Sequence, residues 1–338
     1  MKTNPVAILI SDVHYNINTL KLADAAMQMA IDEANKLSVP LIVAGDLHDT
    51  KANLRGECVN AMLSTFSKLH ADNDCYVLVG NHDKINEKSE EHSLNFLRDR
   101  ATLINSYYYM ADLNIHLLPY YHSISDLRRQ LSLIPTKETI IMHQGLSGTN
   151  SGDYIQDKSA IIPKDVAGLR VISGHYHTRQ TIELPNGGEW DYIGNPYTLN
   201  YAEASDPPKG FQVLYDDGHL EFVPTNLRKH IVIEHTISTN EFKRSSYLPH
   251  NDEDKVLVRV HGTKEQLAIF DKMEWMRREG IIFQVARFDL VPLDTQSSTN
   301  VRKSSTQSEL LDSIIDSLVN TSTECKLRLK DTWKTLCE

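Results

Sequence analysis

The sequence contains few cysteines, and they do not form pairs at metal-binding spacing. Among 338 residues there are four, Cys58, Cys75, Cys325 and Cys337, and no C-x-x-C motif occurs. This spacing fits neither a disulfide framework nor a zinc knuckle. A reducing compartment is therefore the expected environment, and we expect the protein to be cytoplasmic.

Long apolar runs are also lacking. The longest one near the start of the chain, residues 5–10, is followed at once by Ser11 and Asp12. A run this short cannot form the core of a signal peptide, and a membrane-spanning helix needs about 20 apolar residues. The sequence therefore predicts no segment that spans or enters a membrane.

Basic residues are not in excess, since 35 lysines and arginines stand against 45 aspartates and glutamates, for a net charge of −10. This balance excludes a basic protein that coats nucleic acid nonspecifically, so any DNA contact needs a local patch or a partner. The 41% of hydrophobic residues predict a substantial core and exclude a disordered or fibrous chain. The length suits one large domain with one or two smaller pieces.

What the sequence does contain is histidine, 15 in all, often beside acids or glycines where short apolar runs end. Apolar periodicity predicts helices at 20–37 and 56–70 between strands at 6–10, 41–44 and 76–79. Further strands are predicted at 139–142 and 171–173. This β-α-β-α-β order predicts a layered α/β fold.

The rest of the chain predicts smaller pieces. Short strands at 190–193, 211–215 and 220–223 are followed by a small α/β unit, with strands at 231–235, 256–260 and 281–288 and a helix at 264–278. Residues 294–307 are rich in Ser, Thr and Asn, as flexible linkers are. We therefore predict domains at 1–227 and 228–294, a linker at 295–307 and two short amphipathic helices within 308–338.

Five polar clusters follow predicted strands at the point where each ends. They are residues 12–14, 45–49, 80–83, 142–143 and 174–177. One such cluster alone is most often a surface coincidence, or a buried histidine bonded to a backbone carbonyl. Because the carboxyl ends of strands in one α/β sheet meet at one crevice, the five together predict a single site.

The residue types in these clusters predict a pair of divalent cations. Two such ions, about 3.5 to 4 Å apart, need a bridging carboxylate and positions open to water and phosphate, and Asp46 is the natural bridge. Mixed Asp, Asn and His ligands suit Mn, Fe or Zn better than Ca. Alternate residues of an extended segment point the same way, so Asp12 with His14, and His175 with His177, are both expected to reach the ions.

The motif order D-x-H, G-D-x-x-D, G-N-H-D, a lone His and G-H-x-H resembles the calcineurin-like metallophosphoesterase superfamily over residues 10–177. The resemblance implies a layered metallophosphoesterase β-sandwich flanked by helices, and two overlapping sets of metal ligands. One set is Asp12, His14, Asp46 and His177, and the other is Asp46, Asn81, His143 and His175. His82 would stabilise the transition state or protonate the leaving oxygen, with Asp83 orienting it; the alternative is that His82 only orients a ligand.

Residues 192–197 and 209–211 closely resemble a segment of SbcD-type DNA repair nucleases, the catalytic partners of SMC-like ABC ATPases. That family has a small α/β capping domain and, after a linker, helices that bind the ATPase coiled coil. The compact size resembles bacteriophage recombination endonuclease subunits. The resemblance implies a DNA nuclease, acting as a homodimer within a heterotetramer with an SbcC-type ATPase. The mixed carboxylate, amide and imidazole ligands make Mn the expected metal. If the source is a phage, the host cytoplasm is the expected location.

One position departs from this family. Many cellular members carry His three residues after the bridging Asp, whereas this chain has Asp49, beside His48. A direct phosphate contact is therefore in doubt here. We assign Asp49 a catalytic role in orienting His82 or another ligand.

Contacts with DNA and with a partner are predicted less directly. Lys84 and the glycine-rich loop at 145–152, including Gly148 and Asn150, are candidates for DNA contact; the alternative for the loop is a simple connection. Tyrosines at 107–109, 120 and 121 could stack on bases, but ordinary half-buried strands are the stronger interpretation of such runs. The partner-binding candidates of the C-terminal helices are Leu311, Ile314, Ile315, Leu318 and Trp333, the alternative being packing onto the protein's own core.

Two other functions stay open. A protein phosphatase or cyclic-nucleotide phosphodiesterase belongs to the same superfamily, but phosphatases typically continue the second motif with Arg-Gly, where this chain has Thr50 and Lys51, and use Glu at the position of Asp83. A metal-free scaffold with the same fold is expected to lack ligands, and here all are present.

Overall fold

The computed structural model describes residues 3–51, 53–86, 90–149, 160–237, 241–243, 253–278 and 285–293. Its elements, numbered in chain order, form three sheets. The predicted linker at 295–307 and the predicted helices within 308–338, with their partner-binding candidates, lie outside these residues. Within the described ranges, no helix is long and apolar enough to cross a membrane.

The first sheet has six strands. They are β1 (Pro5–Ile10), β2 (Leu41–Val43), β3 (Cys75–Leu78), β4 (Thr102–Ile104), β11 (Gly210–Tyr215) and β12 (Leu220–Pro224). Their order is β12-β11-β1-β2-β3-β4, in which β1 to β4 are parallel and β11 is antiparallel to β1. Helices α1 (Leu20–Leu37) and α2 (Gly56–Phe66) connect the parallel strands and cover the outer face.

The second sheet also has six strands. They are β5 (Tyr108–Met110), β6 (Ile115–Leu118), β7 (Thr139–His143), β8 (Arg170–Gly174), β9 (Gln180–Glu183) and β10 (Glu189–Tyr192). Their order is β5-β6-β7-β8-β10-β9, with β6, β7, β8 and β10 parallel. Helix α3 (Ile124–Leu131) packs on the outer face through Leu127 and Leu131.

The two sheets pack face to face, which explains why β1 is apolar throughout. Ile8 and Ile10 point toward the helices, whereas Ala7 and Leu9 point into the core between the sheets, because successive side chains of a strand alternate. The predicted layered α/β fold is therefore confirmed. The expectation that all five polar clusters follow strands of a single sheet was wrong, since they follow strands of both sheets.

A third sheet has the order β14-β13-β15-β16. Its strands are β13 (His230–Thr236), β14 (Glu241–Lys243), β15 (Lys255–Gly262) and β16 (Val285–Pro292). The single helix predicted at 264–278 is two helices, α4 (Lys264–Ala268) and α5 (Lys272–Arg278). Asp271 causes the break, because its Oδ1 accepts hydrogen bonds from the backbone amides of Met273 and Glu274, which starts a new helix. The last strand extends to residue 292 rather than ending at 288.

Candidate metal centre

The site lies at one edge of the sandwich, where β1, β2 and β3 of the first sheet and β7 and β8 of the second end. Backbone hydrogen bonds join the first two loops, from Asp12 N to Gly45 O (3.1 Å) and from His14 N to Asp46 O (3.1 Å). The loop after β8 is tied to the first of them, since His175 N donates to both carboxylate oxygens of Asp12. The two sheets together therefore hold the predicted ligands.

The first predicted set comes together around two imidazole nitrogens. The Nε2 atoms of His14 and His177 lie 3.1 Å apart, and each is 4.0 Å from Asp12 Oδ1. Asp12 and His14 are buried. These three residues can direct ligand atoms at a common point.

The second predicted set comes together around Asn81. Its Oδ1 atom is 3.1 Å from His143 Nε2 and 2.9 Å from His175 Nδ1, and His143 Nε2 is 3.2 Å from Asp46 Oδ2. This set therefore offers two nitrogens and two oxygens, which is a donor set suited to Mn, Fe or Zn.

Asp46 lies between the two sets. Its Oδ2 atom is 3.2 Å from His143 Nε2 in one set and 4.0 Å from His14 Nε2 in the other, and its Oδ1 accepts from His82 N at 2.8 Å. One carboxylate is thus placed to serve both sets, as a bridging ligand must.

The orientation of the histidine rings also fits metal binding. His143 Nδ1 is 2.7 Å from the carbonyl of Ala44, and His177 Nδ1 is 2.9 Å from Glu203 Oε1. When Nδ1 donates to an acceptor, Nε2 carries the lone pair that a cation needs. The residues present therefore fit two divalent cations.

The carboxylates make the site electronegative. Burial opposes ionisation of Asp46, but the neighbouring His143 ring holds the pKa of this carboxyl well below its ordinary value. Against its own burial, His143 has its pKa raised to about 9 by Asp46 and Asp12. This field holds protons on the ring and would equally favour a metal cation in their place.

Left-handed backbone, not an extended chain, aligns the ligands. Asp12, His14, Asp46 and His175 have φ angles of 52°, 50°, 50° and 85°. The expectation that alternate residues of an extended segment reach the ions was therefore wrong in mechanism, although the side chains do converge. Strained conformations of this kind cluster at functional sites because the surrounding fold enforces them.

Glycine is required where these loops approach one another. A Cβ atom on Gly80 would lie 2.2 Å from Asp46 Oδ1, and one on Gly45, at φ 91°, would lie 2.2 Å from His143 Nδ1. The glycines of the G-D and G-N-H-D motifs thus make room for the ligands themselves.

His82 lies beside the first set. Its Nδ1 is 2.6 Å from the backbone carbonyl of Asp49, and its ring centre is 4.9 Å from that of His14. The Asp49 carboxylate faces His14 Nδ1 at 3.4 Å and accepts from Asn16 Nδ2 at 2.8 Å. Asp49 therefore contacts His82 through its backbone and a ligand through its side chain. His14, Asp49 and His82 also form a third group whose ligand atoms lie within 4.8 Å of one another.

Asp83 lies elsewhere than expected. Its buried carboxylate accepts from His48 N at 3.0 Å and Gly80 N at 2.8 Å, and not from the His82 ring. Burial and the charge of Asp46 raise the pKa of Asp83 to about 7. Its contacts therefore fasten two ligand loops together rather than orient His82.

The candidates for DNA contact are less clearly arranged. Lys84 is only 9% exposed, with Nζ 5.7 Å from the ring centre of Tyr120, which in turn lies against His175. Gly148 lies in a turn at φ 88°, and Asn150 is outside the described residues. Tyrosines 107 to 109 are near 40% exposed and lie at the edge strand β5. This agrees with the interpretation that these tyrosines belong to an ordinary strand.

The sequence motifs did not identify the residues that hold His177 and the neighbouring loop in place. Glu203 holds the ring, Lys209 donates to the His177 carbonyl at 2.9 Å, and the Tyr197 hydroxyl donates to the Val13 carbonyl at 2.6 Å. Against burial, the bond to His177 and the charge of Lys209 lower the pKa of Glu203 to about 2. The only sequence signal was that residues 192–197 and 209–211 carried a family resemblance of their own.

Two overlapping sets of nitrogen and oxygen atoms, sharing the Asp46 carboxylate at one edge of the sandwich, could hold two divalent cations, as a dinuclear phosphoesterase centre does. The chain belongs to the calcineurin-like phosphoesterase family, whose family model matches residues 6–179. Members of this class hydrolyse phosphate esters with two divalent metal ions.

Two solved structures are similar to this chain. A dimetal phosphatase from Danio rerio is 14% identical with a TM-score of 0.40, over 63% of this chain and 93% of that one. An archaeal phosphodiesterase is 14% identical with a TM-score of 0.35, over 64% of this chain and 98% of that one. No curated protein matches the chain.

Proposed function

We propose that this protein is a metal-dependent DNA nuclease of the SbcD type, an exonuclease on duplex ends and an endonuclease on single strands. It would act in DNA recombination, repair or replication as the catalytic subunit of a complex with an SMC-like ABC ATPase. Mn is the proposed metal, since the mixed carboxylate, amide and imidazole donors suit it.

The observation that carries this proposal is the position of the segment that resembles SbcD-type nucleases. Tyr197 contacts the loop of Asp12 and His14, and Lys209 contacts His177. Thr198, the residue after Tyr197, contacts the third sheet, because its Oγ1 accepts from His230 N at 2.9 Å. The nuclease-like segment is thus part of the support of the metal centre and joins it to the predicted capping domain.

In this mechanism the two ligand sets, sharing Asp46, would hold the cations, and the chemistry that the cations would supply is polarisation of the phosphodiester and activation of a water molecule. The protein's own part is to place a proton donor beside them. In the imidazolium form of His82, Nδ1–H donates to the Asp49 carbonyl, and the proton on Nε2 would be the one transferred to the leaving oxygen. Asp49, held by Asn16, steadies His14 at the same time.

The test compares substrates for the full-length protein loaded with Mn²⁺. Linear duplex DNA and circular single-stranded DNA should both be cut, at rates well above those for p-nitrophenyl esters, a phosphopeptide or a cyclic nucleotide. Addition of EDTA should abolish cleavage and Mn²⁺ should restore it. Preferential hydrolysis of the phosphopeptide or cyclic nucleotide would support the other superfamily activities, and full cleavage in EDTA would refute the two-metal mechanism.

The partner is tested separately. Affinity capture of the protein from its native host, whose cytoplasm is the proposed location, should recover an SMC-like ABC ATPase. The molar mass of the complex should match two copies of each subunit, because we propose a homodimer within a heterotetramer. Recovery of the chain alone, with no ATPase, would contradict this part of the proposal and leave the nuclease activity to be judged by its own test.

A further inference from the structure

The His177 ring is held from behind by a buried carboxylate. Glu203, in the 3₁₀ helix Tyr201–Ser205, is 8% exposed and lies 2.9 Å from His177 Nδ1. Donation from Nδ1 to this carboxylate leaves the lone pair on Nε2, which faces Asp12 and His14. Glu203 therefore fixes both the tautomer and the direction of the ring.

Glu203 is itself held in place. Its Oε2 atom accepts from Asn195 Nδ2 at 2.9 Å and from Leu199 N at 3.0 Å, and Lys209 Nζ lies 3.5 Å away. Because both carboxylate oxygens have partners, the side chain cannot rotate away from His177 without breaking hydrogen bonds. The position of the ring is therefore set by the segment at 195–209.

The second ligand set is supported differently. There the ring of His143 donates to the neutral carbonyl of Ala44. A carboxylate partner raises the basicity of a ligand histidine more than a carbonyl does. Loss of the charge on Glu203 should therefore affect one set and leave the other unchanged.

We infer that Glu203 is a positioning residue that sets the affinity of the Asp12, His14 and His177 set for a divalent cation. This inference rests on the proposed role of His177 as a metal ligand. It assigns a carboxylate outside all five motifs to the metal centre. It predicts that the affinity of one set for a divalent cation depends on this carboxylate, whereas the affinity of the other set does not.

In the experiment, the metal-free, full-length protein is titrated with Mn²⁺. Binding is measured by calorimetry and by electron paramagnetic resonance of the free Mn²⁺. Glu203→Gln keeps the size of the side chain and removes its charge. We expect one of two sites to weaken by about 10- to 100-fold while the other is unchanged. The matched control is Glu234→Gln in the third sheet, because Glu234 also pairs with a histidine, with Oε2 2.6 Å from His261 Nε2, and neither residue belongs to the two ligand sets. Its isotherm should match that of the wild type.

A second variant separates this inference from the ligand assignment. If His177→Ala leaves both Mn²⁺ sites intact, His177 is not a ligand and the proposed site is wrong. If His177→Ala removes one site and Glu203→Gln does not weaken it, only the role of Glu203 is overturned. Equal weakening of both sites by Glu203→Gln, or the same effect from the control, would also overturn it. Should Glu203→Gln fail to fold, Glu203→Asp decides the question, since its shorter reach should again weaken only one site.

Discussion

Individual histidines in this centre differ in which ring nitrogen the protein holds. Nδ1 of His143 and Nδ1 of His177 contact protein acceptors, so their Nε2 atoms face the ligand sets, whereas His175 directs Nδ1 toward Asn81. His82 has Nδ1 on the Asp49 carbonyl and lies at the border of the first set. These contacts therefore support the proposal that His82 transfers a proton, while His143, His175 and His177 would be metal ligands.

Substitution of His82 should separate catalysis from metal binding. We expect His82→Ala to lower the rate of hydrolysis by about 10²- to 10⁴-fold, the usual contribution of a general acid, while two metal ions remain bound. Asp46→Ala should lose metal as well, because both sets share this carboxylate. Metal content by mass spectrometry and the initial rate check the pair, and a His82→Ala protein that loses a metal would make His82 a ligand.

The sequence predicted which candidate ligands come together, but not the residues that hold them in place. The ligand motifs are short and lie next to strands, so their convergence follows from the fold. Glu203 reaches His177 from 26 residues away along the chain, and Asp83 contacts backbone amides that no residue pattern marks. Such contacts depend on how loops pack, which composition and spacing do not determine.

The loops that follow the short strands of the first sheet are closely packed against one another. The loop after β3 approaches the loop after β2 so closely that Gly80 has no room for a side chain. The close packing of these two loops therefore fixes the position of Asp46.

Gly80→Ala should displace Asp46, because the added Cβ would meet both its Oδ1 atom (2.2 Å) and its backbone nitrogen (2.3 Å). We expect both metal ions and the activity to be lost while far-UV circular dichroism is unchanged. Gly56→Ala, at the first residue of α2, is the control, since its Cβ would meet nothing within 4 Å. A Gly80→Ala protein with two tightly bound metal ions would show that the loops can separate.

Element prediction worked where burial is periodic. The helix predicted at 20–37 is present as Leu20–Leu37, with Ala23, Met27 and Ala34 buried on one face. Apolar periodicity continued across residues 269–271, so it could not show the break that Asp271 makes. The short strands β4 and β6 were not predicted, because three or four residues give too weak a pattern.

For the molecule as a whole, the sandwich and the third sheet are joined at a buried contact. His230 is 5% exposed, its Nδ1 lies 3.0 Å from Thr198 Oγ1, and the ring of Tyr201 packs against it. Burial, with the charges of Arg228 and Lys255, lowers the pKa of His230 to about 4. The predicted domain boundaries at 227 and 294 stay predictions.

This contact should make stability depend on pH. An unfolded His230 takes up a proton near pH 6.5, but the folded one does so only near pH 4. Between these values the unfolded state binds more protons, so the stabilisation is complete above pH 6.5 and is lost as the pH falls, by at most about 3 kcal/mol. In thermal unfolding without metal, the Tm of His230→Gln should therefore fall less than that of the wild type between about pH 7.5 and pH 5. Parallel curves would contradict this.

Truncation tests the proposed division between catalysis and partner binding. The sequence after residue 300 carries the aliphatic stripe of Leu311, Ile314, Ile315 and Leu318, and helices this short are marginal in water without something to pack against. We expect a protein that ends at residue 300 to keep its Mn-dependent nuclease activity on short DNA and to lose co-purification with the ATPase. Normal binding of the ATPase by the truncated protein would contradict the assignment.

The first ligand set connects parts of the chain that are far apart in sequence, since His14 and His177 are separated by 163 residues. A cation held between them acts as a reversible cross-link across a long loop, the kind of closure that costs an unfolded chain most entropy. A cation that binds only the folded state would add about 4 kcal/mol to the free energy of unfolding when its free concentration is a thousand times its Kd. The two cysteines within the described residues, Cys58 and Cys75, are free, so the metal supply of the cell would then govern the stability of the fold as well as the catalytic rate.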